Sequence, residues 1–415
     1  MLLGYVQKTN TIMWQKNLLT KFVGGSVKFN GWSRYITIRK YSDVNKIENN
    51  DENVAKSPEE DVLNLLNDSA NFNEATDTSW DSSPYPEGVV IPTDKPDRPK
   101  QDPSTSTILL FPGQGTLKIG SVNKYLAIPR AKEVFDIANE VVGFDVLSLC
   151  LKGPYDKLNR TEYNQVATVT ASLAALERLW EDRPVAIEQC KAAVGYSVGE
   201  LTALIFSGAL SLEDGIRLAA VRGAAMQQAS DLTPQGMLLI HCLRSTNVGL
   251  ICDEAKKWAM NMGVSQPVCN VAIYLYSETK VLAGDEESLK YIEKNRVRLD
   301  LRKTERLPVS GAFHTSLMEP ALKSFKKALD KIDIQAPRID TYSNVTTNPY
   351  SNVRDVNKLL MKQMVSSVKW EQTIQKLYKR PPGVNFPRTF ELGSRNLGYI
   401  LRRINVKASH SYAAV

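Results

Sequence analysis

Residues 195–199, Gly-Tyr-Ser-Val-Gly, place a serine between two glycines, with an apolar run before them and a helix-forming run after them. This pattern is typical of a strand-to-helix turn so tight that only glycine fits two positions before and two positions after the serine. Such a turn exposes the hydroxyl and sets the unpaired N–H groups of a helix N-terminus beneath an oxygen that becomes negative during acyl transfer. Ser197 is therefore a candidate nucleophile.

Two further segments contain residue types that acyl transfer would need. Residues 111–115, Phe-Pro-Gly-Gln-Gly, follow an apolar strand-like run, and their glycines predict a loop whose backbone closely approaches another segment. Residues 311–315, Gly-Ala-Phe-His-Thr, place His314 among small residues on a loop. A serine needs a base within hydrogen-bonding distance, and His314 could be that base. An ordinary strand-end turn and a structural histidine are the alternative interpretations.

Taken in this order and at these separations, the three segments resemble those of the malonyl-CoA:acyl carrier protein transacylases, which load malonyl units for fatty acid synthesis. The resemblance extends from about residue 107 to about residue 405. It includes further segments at 343–345, 363, 368–370 and 390–393. One departure is Tyr196, where many members have histidine; this position flanks the nucleophile and is not that of the base.

The resemblance implies a role for each of five residues. Ser197 would be the nucleophile and His314 the general base, held in one tautomer by the backbone carbonyl of Gln363, so that the pair is a dyad without an acidic third member. The backbone N–H groups of Gln114 and Val198 would form the oxyanion hole. Neither a cofactor nor a metal is expected; the substrates would be malonyl-CoA and phosphopantetheinylated acyl carrier protein.

Arg222 lies in a helical run from 212 to 229 that begins with a Ser-x-x-Asp capping box. Residues three and four positions away are small or apolar, so its guanidinium is predicted to be buried without a local partner. That is costly unless an anion binds, and the planar guanidinium fits a carboxylate through two hydrogen bonds. The resemblance assigns this position to the malonyl carboxylate and assigns Phe313 to acyl size, favouring malonyl over methylmalonyl. A salt bridge to a distant acid is the alternative for Arg222.

Charge is unevenly distributed along the 415 residues, which carry a net +7. Residues 1–42 contain seven Lys or Arg and no Asp or Glu, a pattern typical of a mitochondrial transit peptide, predicted here as 1–41, with a disordered basic tail as the alternative. Localisation in the mitochondrial matrix follows, and the five cysteines without a CxxC pair fit such a reducing compartment. No apolar run is long enough for a transmembrane segment.

An acidic linker is predicted over 42–106, because residues 43–107 carry fifteen acidic and five basic residues and are rich in Asn, Ser and Pro. Only residues 60–66 within it could form a short amphipathic helix. The remaining chain is basic, which suits the phosphates of coenzyme A and an acidic carrier protein. Nucleic acid is the other partner for such charge, but no recognition motif for it is present, so none is expected.

Alternating strand-like and helical runs from 107 to about 233 predict an α/β fold with a parallel sheet, of the α/β-hydrolase-like kind. Between 236 and 303 the order changes to β-α-β-β-α-β, with the last strand placed at 298–301, which predicts an inserted ferredoxin-like small domain. The large catalytic acyltransferase domain would comprise 107–235 and 304–415. The resemblance places the active site in the cleft between the two domains.

Three functional classes are compatible with these residues: a malonyl transferase, a serine hydrolase of the esterase or phospholipase kind, and a catalytically silent protein that binds the carrier. A hydrolase acting on a neutral ester has no use for a buried arginine directed at a substrate carboxylate. A silent relative should have lost Ser197 or His314, and both are present. With these points, the resemblance implies an [acyl-carrier-protein] S-malonyltransferase, with the serine hydrolase as the alternative.

Overall fold

The computed structural model describes residues 102–415. The predicted transit peptide, the predicted helix at 60–66 and all but the end of the acidic linker lie outside the described residues. In the described range the strands are β1 (Thr107–Phe111), β2 (Cys190–Gly195), β3 (Gln235–Cys242), β4 (Cys269–Tyr276), β5 (Thr279–Asp285), β6 (Leu301–Arg306), β7 (Asp340–Tyr342), β8 (Arg388–Glu391) and β9 (Tyr412–Ala414).

A five-stranded sheet has the order β7-β2-β1-β8-β9, and every neighbouring pair is parallel. All five residues of the central strand β1 are buried, as expected of a strand covered on both faces. Because parallel strands end at the same edge, the turn that follows β1 and the turn that follows β2 lie side by side. This edge positions the candidate site.

Helices connect these strands, as a parallel sheet requires. In chain order they are α1 (Pro129–Val142), α2 (Val146–Lys152), α3 (Tyr155–Asn159), α4 (Thr161–Asp182), α5 (Pro184–Glu188), α6 (Gly199–Phe206), α7 (Leu212–Ser230), α8 (Val248–Asn261), α9 (Glu286–Lys294), α10 (Glu319–Leu329), α11 (Val353–Met364), α12 (Trp370–Leu377), α13 (Asn396–Ile404) and α14 (Val406–Ser409). Among residues 102–415, no helix has the length and apolar character needed to cross a bilayer.

A second, antiparallel sheet has the order β4-β5-β3-β6, and α8 and α9 are the helices between its strands along the chain. Apolar side chains from both helices and the sheet form its core, including Ile251, Leu282 and Ile292. Strand β4 also contacts the segment between α11 and α12. Tyr274 N–H donates to the carbonyl of Val368 at 2.9 Å, and Val368 N–H donates to the carbonyl of Ala272 at 2.8 Å.

The last strand of this sheet corrects the sequence interpretation. It was expected at 298–301, whereas β6 comprises Leu301–Arg306 and residues before it form turns. The reason is that β6 is an edge strand, so most of its side chains are polar and partly or fully exposed, and the apolar pattern that marks a strand is missing.

Candidate active site

The turn after β2 places Ser197 in an uncommon backbone conformation, with a φ of 54°. The two glycines around it are dictated by space: a Cβ on Gly195 would lie 2.0 Å from the backbone of Gly199, and a Cβ on Gly199 would lie 2.4 Å from the carbonyl oxygen of Phe111. The side chain of Asn344 stabilises the turn through two hydrogen bonds. Its Oδ1 accepts from Ser197 N–H at 2.8 Å, and its Nδ2 donates to the Gly195 carbonyl at 2.8 Å. The tight turn predicted from the sequence is present.

Gly195→Ala should destabilise the protein by at least about 3 kcal/mol, because the added methyl group meets backbone that cannot move aside. Urea unfolding measures this change. The matched control is Gly249→Ala in α8, where the nearest atom to the new Cβ is the side-chain oxygen of Asn247 at 3.3 Å; its stability should change by no more than about 1 kcal/mol. Equal effects at both glycines would contradict the steric account.

His314 brings its imidazole to the candidate nucleophile. The Ser197 Oγ to His314 Nε2 distance is 2.9 Å, and His314 Nδ1 lies 2.7 Å from the backbone carbonyl oxygen of Gln363. A carbonyl oxygen can only accept, so Nδ1 carries the proton and Nε2 is left free to accept the serine proton. The Gln363 contact predicted from the resemblance is thus present in the geometry.

The imidazole is also kept neutral. Burial, together with the positive charge of Arg222, lowers the pKa of His314 to about 3. The unfolded chain binds a proton at this residue below about pH 6.5 and the folded chain does not, so the free energy of unfolding should fall as the pH drops below 6.5.

His314→Asn should remove this acid sensitivity. Between pH 7 and pH 5 the parent should lose about 2 kcal/mol more stability than the variant, as measured by urea unfolding at both values. Burial raises the pKa of Glu200 to about 7, which acts in the opposite direction, but this contribution is common to both proteins and cancels in the comparison. Parallel losses in parent and variant would show that His314 is not held neutral.

Arg222, on α7, is 2% exposed and points at the same serine. Its Nη1 donates to Gln165 Oε1 at 2.7 Å, and its Nη2 donates to Gln363 Oε1 at 2.8 Å and to Ser197 Oγ at 3.3 Å. Burial lowers its pKa to about 10, with the negative charge of Glu200 acting in the opposite direction. The predicted burial is present, but the guanidinium is not unpartnered: its partners are neutral oxygens from distant segments, which helix spacing cannot reveal.

The two predicted oxyanion-hole residues lie beside the turn. A Cβ on Gly113 would meet the backbone of Tyr196 at 2.6 Å, so the loop containing Gln114 contacts the residue before the nucleophile. Val198 is the fully buried N-cap residue of α6. The Gln114 side chain is linked to the arginine site, since its Oε1 accepts from Gln165 Nε2 at 3.3 Å.

Phe313, the residue before the histidine, is 6% exposed and lies on the loop near Gly311. A cleft of about 450 Å³ opens at this histidine loop. It is lined by His314 and Thr315, by residues 365–367, and by residues of α8 and β4, including Lys256 and Asn270. The cleft therefore lies between the parts of the chain that carry the two sheets, where the resemblance placed the active site.

Sequence reasoning assigned no role to Glu200, Asn344 or Gln165, although all three contact the predicted site residues. One signal was available for Glu200, which is the single charged residue of the mostly apolar helix α6. Asn344 stood within a segment that carried the resemblance, but nothing in that segment indicates which residue it contacts. Gln165 is a polar residue on a largely buried helix, and its partner is 57 positions away.

The family model described as an acyl transferase domain matches residues 108–385, about two thirds of the chain. Together with the parallel sheet and the serine turn, this match defines the protein as an acyltransferase of the α/β class.

Relatives specify the family further. A probable mitochondrial malonyl-CoA-acyl carrier protein transacylase of Drosophila melanogaster is 45% identical over 77% of this chain and 85% of its own length. The mitochondrial malonyl-CoA-acyl carrier protein transacylase of Homo sapiens is 43% identical over 75% of this chain and 80% of its own length. The chain belongs to the malonyl-CoA-acyl carrier protein transacylase family, which confirms the resemblance.

Solved structures agree with this assignment. The acyl-carrier-protein-S-malonyltransferase from Bartonella henselae matches with a TM-score of 0.67 and 28% identity, over 75% of this chain and 95% of that chain. A malonyl-transacylase in complex with a type II PKS acyl-carrier protein matches with a TM-score of 0.66 and 26% identity, over 75% of this chain and 96% of that chain. These matches confirm the predicted α/β fold with a parallel sheet.

Proposed function

We propose that the protein transfers the malonyl group from malonyl-CoA to the phosphopantetheine thiol of acyl carrier protein, through a malonyl-serine intermediate at Ser197, for fatty acid synthesis in the mitochondrial matrix. One observation carries this proposal: a buried guanidinium and a neutral imidazole both lie within hydrogen-bonding distance of one serine hydroxyl, at 3.3 and 2.9 Å. The imidazole activates the hydroxyl, and the guanidinium selects an acyl group that ends in a carboxylate.

The first half-reaction acylates the serine. Ser197 Oγ attacks the thioester carbonyl carbon while its proton passes to His314 Nε2, and the carbonyl oxygen becomes an oxyanion. The backbone N–H groups of Gln114 and Val198 are proposed to bind that oxyanion; loss of such a donor costs about 3 to 4 kcal/mol in comparable sites. The carbon–sulfur bond then breaks, and the coenzyme A thiolate takes the proton from Nε2.

Arg222 would orient the substrate during this step. Both protons of Nη2 are engaged, one by Gln363 and the other by the serine hydroxyl, whereas Nη1 donates one proton to Gln165. A malonyl carboxylate can take the second Nη1 proton and the Nη2 proton that now faces Ser197, forming a two-bond ion pair. This position of the carboxylate places the thioester carbonyl next to Oγ, because the malonyl group has one carbon between its two carbonyl carbons.

The second half-reaction reverses the first with a different thiol. The phosphopantetheine thiol of the carrier gives its proton to His314 Nε2 and attacks the malonyl ester, and Ser197 leaves with that proton. The chemistry is complete with these side chains and calls for no cofactor. The solved complex of a related malonyl-transacylase with an acyl-carrier protein supports this partner.

The domain boundaries and the finer fold classification belong to this proposal. We assign 107–235 and 304–415 to the large α/β-hydrolase-like catalytic domain and 236–303 to the ferredoxin-like small domain, supported by the β-α-β-β-α-β order of the antiparallel sheet. The sheet extends slightly beyond these bounds, since β3 begins at Gln235 and β6 ends at Arg306. Residues 1–41 are assigned to a transit peptide and 42–106 to an acidic linker. The mitochondrial relatives support the proposed destination. Phe313 is proposed to limit acyl size.

Mass spectrometry of the intact protein tests the function. The protein is mixed briefly with malonyl-CoA and then supplied with phosphopantetheinylated acyl carrier protein. A malonyl adduct on Ser197 that is transferred to the carrier supports the transferase. An adduct lost to water at the same rate with and without carrier would instead identify a serine hydrolase, and no adduct with any acyl-CoA would identify a silent binding protein.

A further inference from the structure

We propose that Glu200 is a positioning residue of the acyl-transfer site: it fixes the side chain of Gln363 in the one orientation that serves both Arg222 and the turn carrying Ser197. This inference deepens the proposed function and rests on it for the roles of the residues that Glu200 positions. Glu200 itself contacts neither the serine hydroxyl nor the imidazole.

Glu200 is fully buried on α6, in the first turn after the serine. Three donors converge on its carboxylate: the hydroxyl of Tyr350, the Nε2 group of Gln363 at 2.7 Å and the backbone N–H of Asn344 at 3.1 Å. Because an ionised carboxylate only accepts hydrogen bonds, this set of partners matches the charged form. The helix N-terminus adds a favourable field for a negative charge.

The orientation of the Gln363 amide follows from that contact. Its Nε2 donates to Glu200 Oε2 and, at 2.9 Å, to the carbonyl of Ser197, and its Oε1 accepts from Arg222 at 2.8 Å. A reversed amide would turn its NH₂ group toward the guanidinium, so that two donors would face each other, and would turn its oxygen toward two acceptors. An acceptor at position 200 therefore selects the orientation that supports Arg222.

The same glutamine also holds the base. Its backbone carbonyl accepts from His314 Nδ1 at 2.7 Å, so one residue contacts the imidazole, the guanidinium and the backbone of the nucleophile. A residue that fixes the Gln363 side chain consequently controls the positions of the guanidinium and of the serine turn relative to the imidazole, which the backbone of the same glutamine holds. Displacements of about 1 Å in such an arrangement can cost about 100-fold in rate.

A role in folding alone does not account for the choice of residue. Burial raises the pKa of Glu200 to about 7, and replacing a buried ionic group by a well-packed apolar residue is often neutral or stabilising. The useful property of glutamate here is the length of its side chain, because its carboxylate extends from α6 to the side chain of Gln363, 163 positions later.

The test compares two conservative variants that separate the effect of side-chain length from the effect of charge. Glu200→Gln keeps the length and an amide oxygen that can accept from Gln363, while its NH₂ group can donate to the oxygen of Tyr350. Glu200→Asp keeps the charge but is one methylene shorter and loses contact with Gln363. We expect kcat/KM for malonyl-CoA to stay within about threefold of the parent in Glu200→Gln, without a rise in KM, and to fall at least about 30-fold in Glu200→Asp.

A double-mutant cycle identifies the route of the effect. In a Gln363→Ala background, Glu200→Asp should cost less than about threefold, because there is no longer a side chain to position. The matched control is Glu391→Asp, which shortens another fully buried glutamate that accepts from a tyrosine hydroxyl, a serine hydroxyl and two backbone N–H groups, all in the C-terminal segment. This control should leave kcat/KM within about twofold of the parent.

The rate at which a fluorophosphonate modifies Ser197 provides a readout that is independent of the acyl donor. The serine oxygen forms a bond to phosphorus, fluoride leaves, and the proton goes to the base. This rate should follow the same ranking, with Glu200→Gln close to the parent and Glu200→Asp slower. If the parent formed no malonyl-enzyme, the proposed function would fail while these rates still tested the positioning role.

Three results would overturn the positioning role. One is a loss of kcat/KM in Glu200→Gln equal to or greater than that in Glu200→Asp, which would show that the charge at position 200 matters more than the length of the side chain. Another is a loss in Glu200→Asp that is undiminished without the Gln363 side chain. The third is an equal loss in Glu391→Asp, which would show that shortening any buried glutamate has this effect.

Discussion

Ser197→Ala should abolish the malonyl-enzyme and lower the transfer rate on the order of 10⁶-fold, since loss of a nucleophile whose partners act as a unit has an effect of this size. The substitution removes only the oxygen that lies 2.9 Å from His314 Nε2 and 3.3 Å from Arg222 Nη2. The backbone N–H that donates to Asn344 remains, so the turn should keep its shape. Mass spectrometry after mixing with malonyl-CoA measures the adduct, and transfer to the carrier measures the rate.

Ser207→Ala is the control for this substitution. Ser207 is also a buried serine, at the C-terminal end of α6, and its hydroxyl donates only to the carbonyl of Leu204. The control should form the adduct as rapidly as the parent. A malonyl adduct that still accumulated in Ser197→Ala would assign the nucleophile to another residue.

Arg222→Ala should change which acyl group is accepted. We expect kcat/KM for malonyl-CoA to fall roughly 10²- to 10³-fold, because truncating one member of a buried, hydrogen-bonded charge pair costs about 2 to 5 kcal/mol. Transfer of the neutral acetyl group, which has no carboxylate to lose, should stay within about tenfold of the parent. Competition between malonyl-CoA and acetyl-CoA for one sample of enzyme measures the ratio directly.

Arg217→Ala provides the comparison on the same helix. Arg217 is half exposed and pairs with Asp214 one turn before it, and exposed pairs of this kind contribute little. Neither acyl group should be affected by its removal. An unchanged preference for malonyl in Arg222→Ala would exclude Arg222 from carboxylate binding, and an equal loss for both acyl groups would indicate a general distortion of the site.

The local features of the site could be predicted because they depend on neighbours in the chain. Gly195 is required by the turn itself, because a Cβ there would meet the backbone of Gly199, so the strand, the serine turn and the following helix could be inferred from a few residues. The capping hydrogen bond from Asp214 N–H to Ser211 Oγ, at 3.0 Å, was predictable for the same reason. Strand β6 shows the limit of this approach, since an edge strand with exposed polar side chains has no apolar pattern to detect.

The sequence by itself determined the parallel α/β arrangement, the serine turn and, through motifs in a fixed order, the family and its expected site residues. Only the tertiary structure decided the neutral partners of Arg222 and the contact of Glu200 with the side chain of Gln363. The physical reason is distance along the chain: the contacts of Gln363 with Ser197, Glu200 and Arg222 span 141 to 166 positions. Such contacts depend on how whole elements pack, and no local pattern of residue types reports that packing.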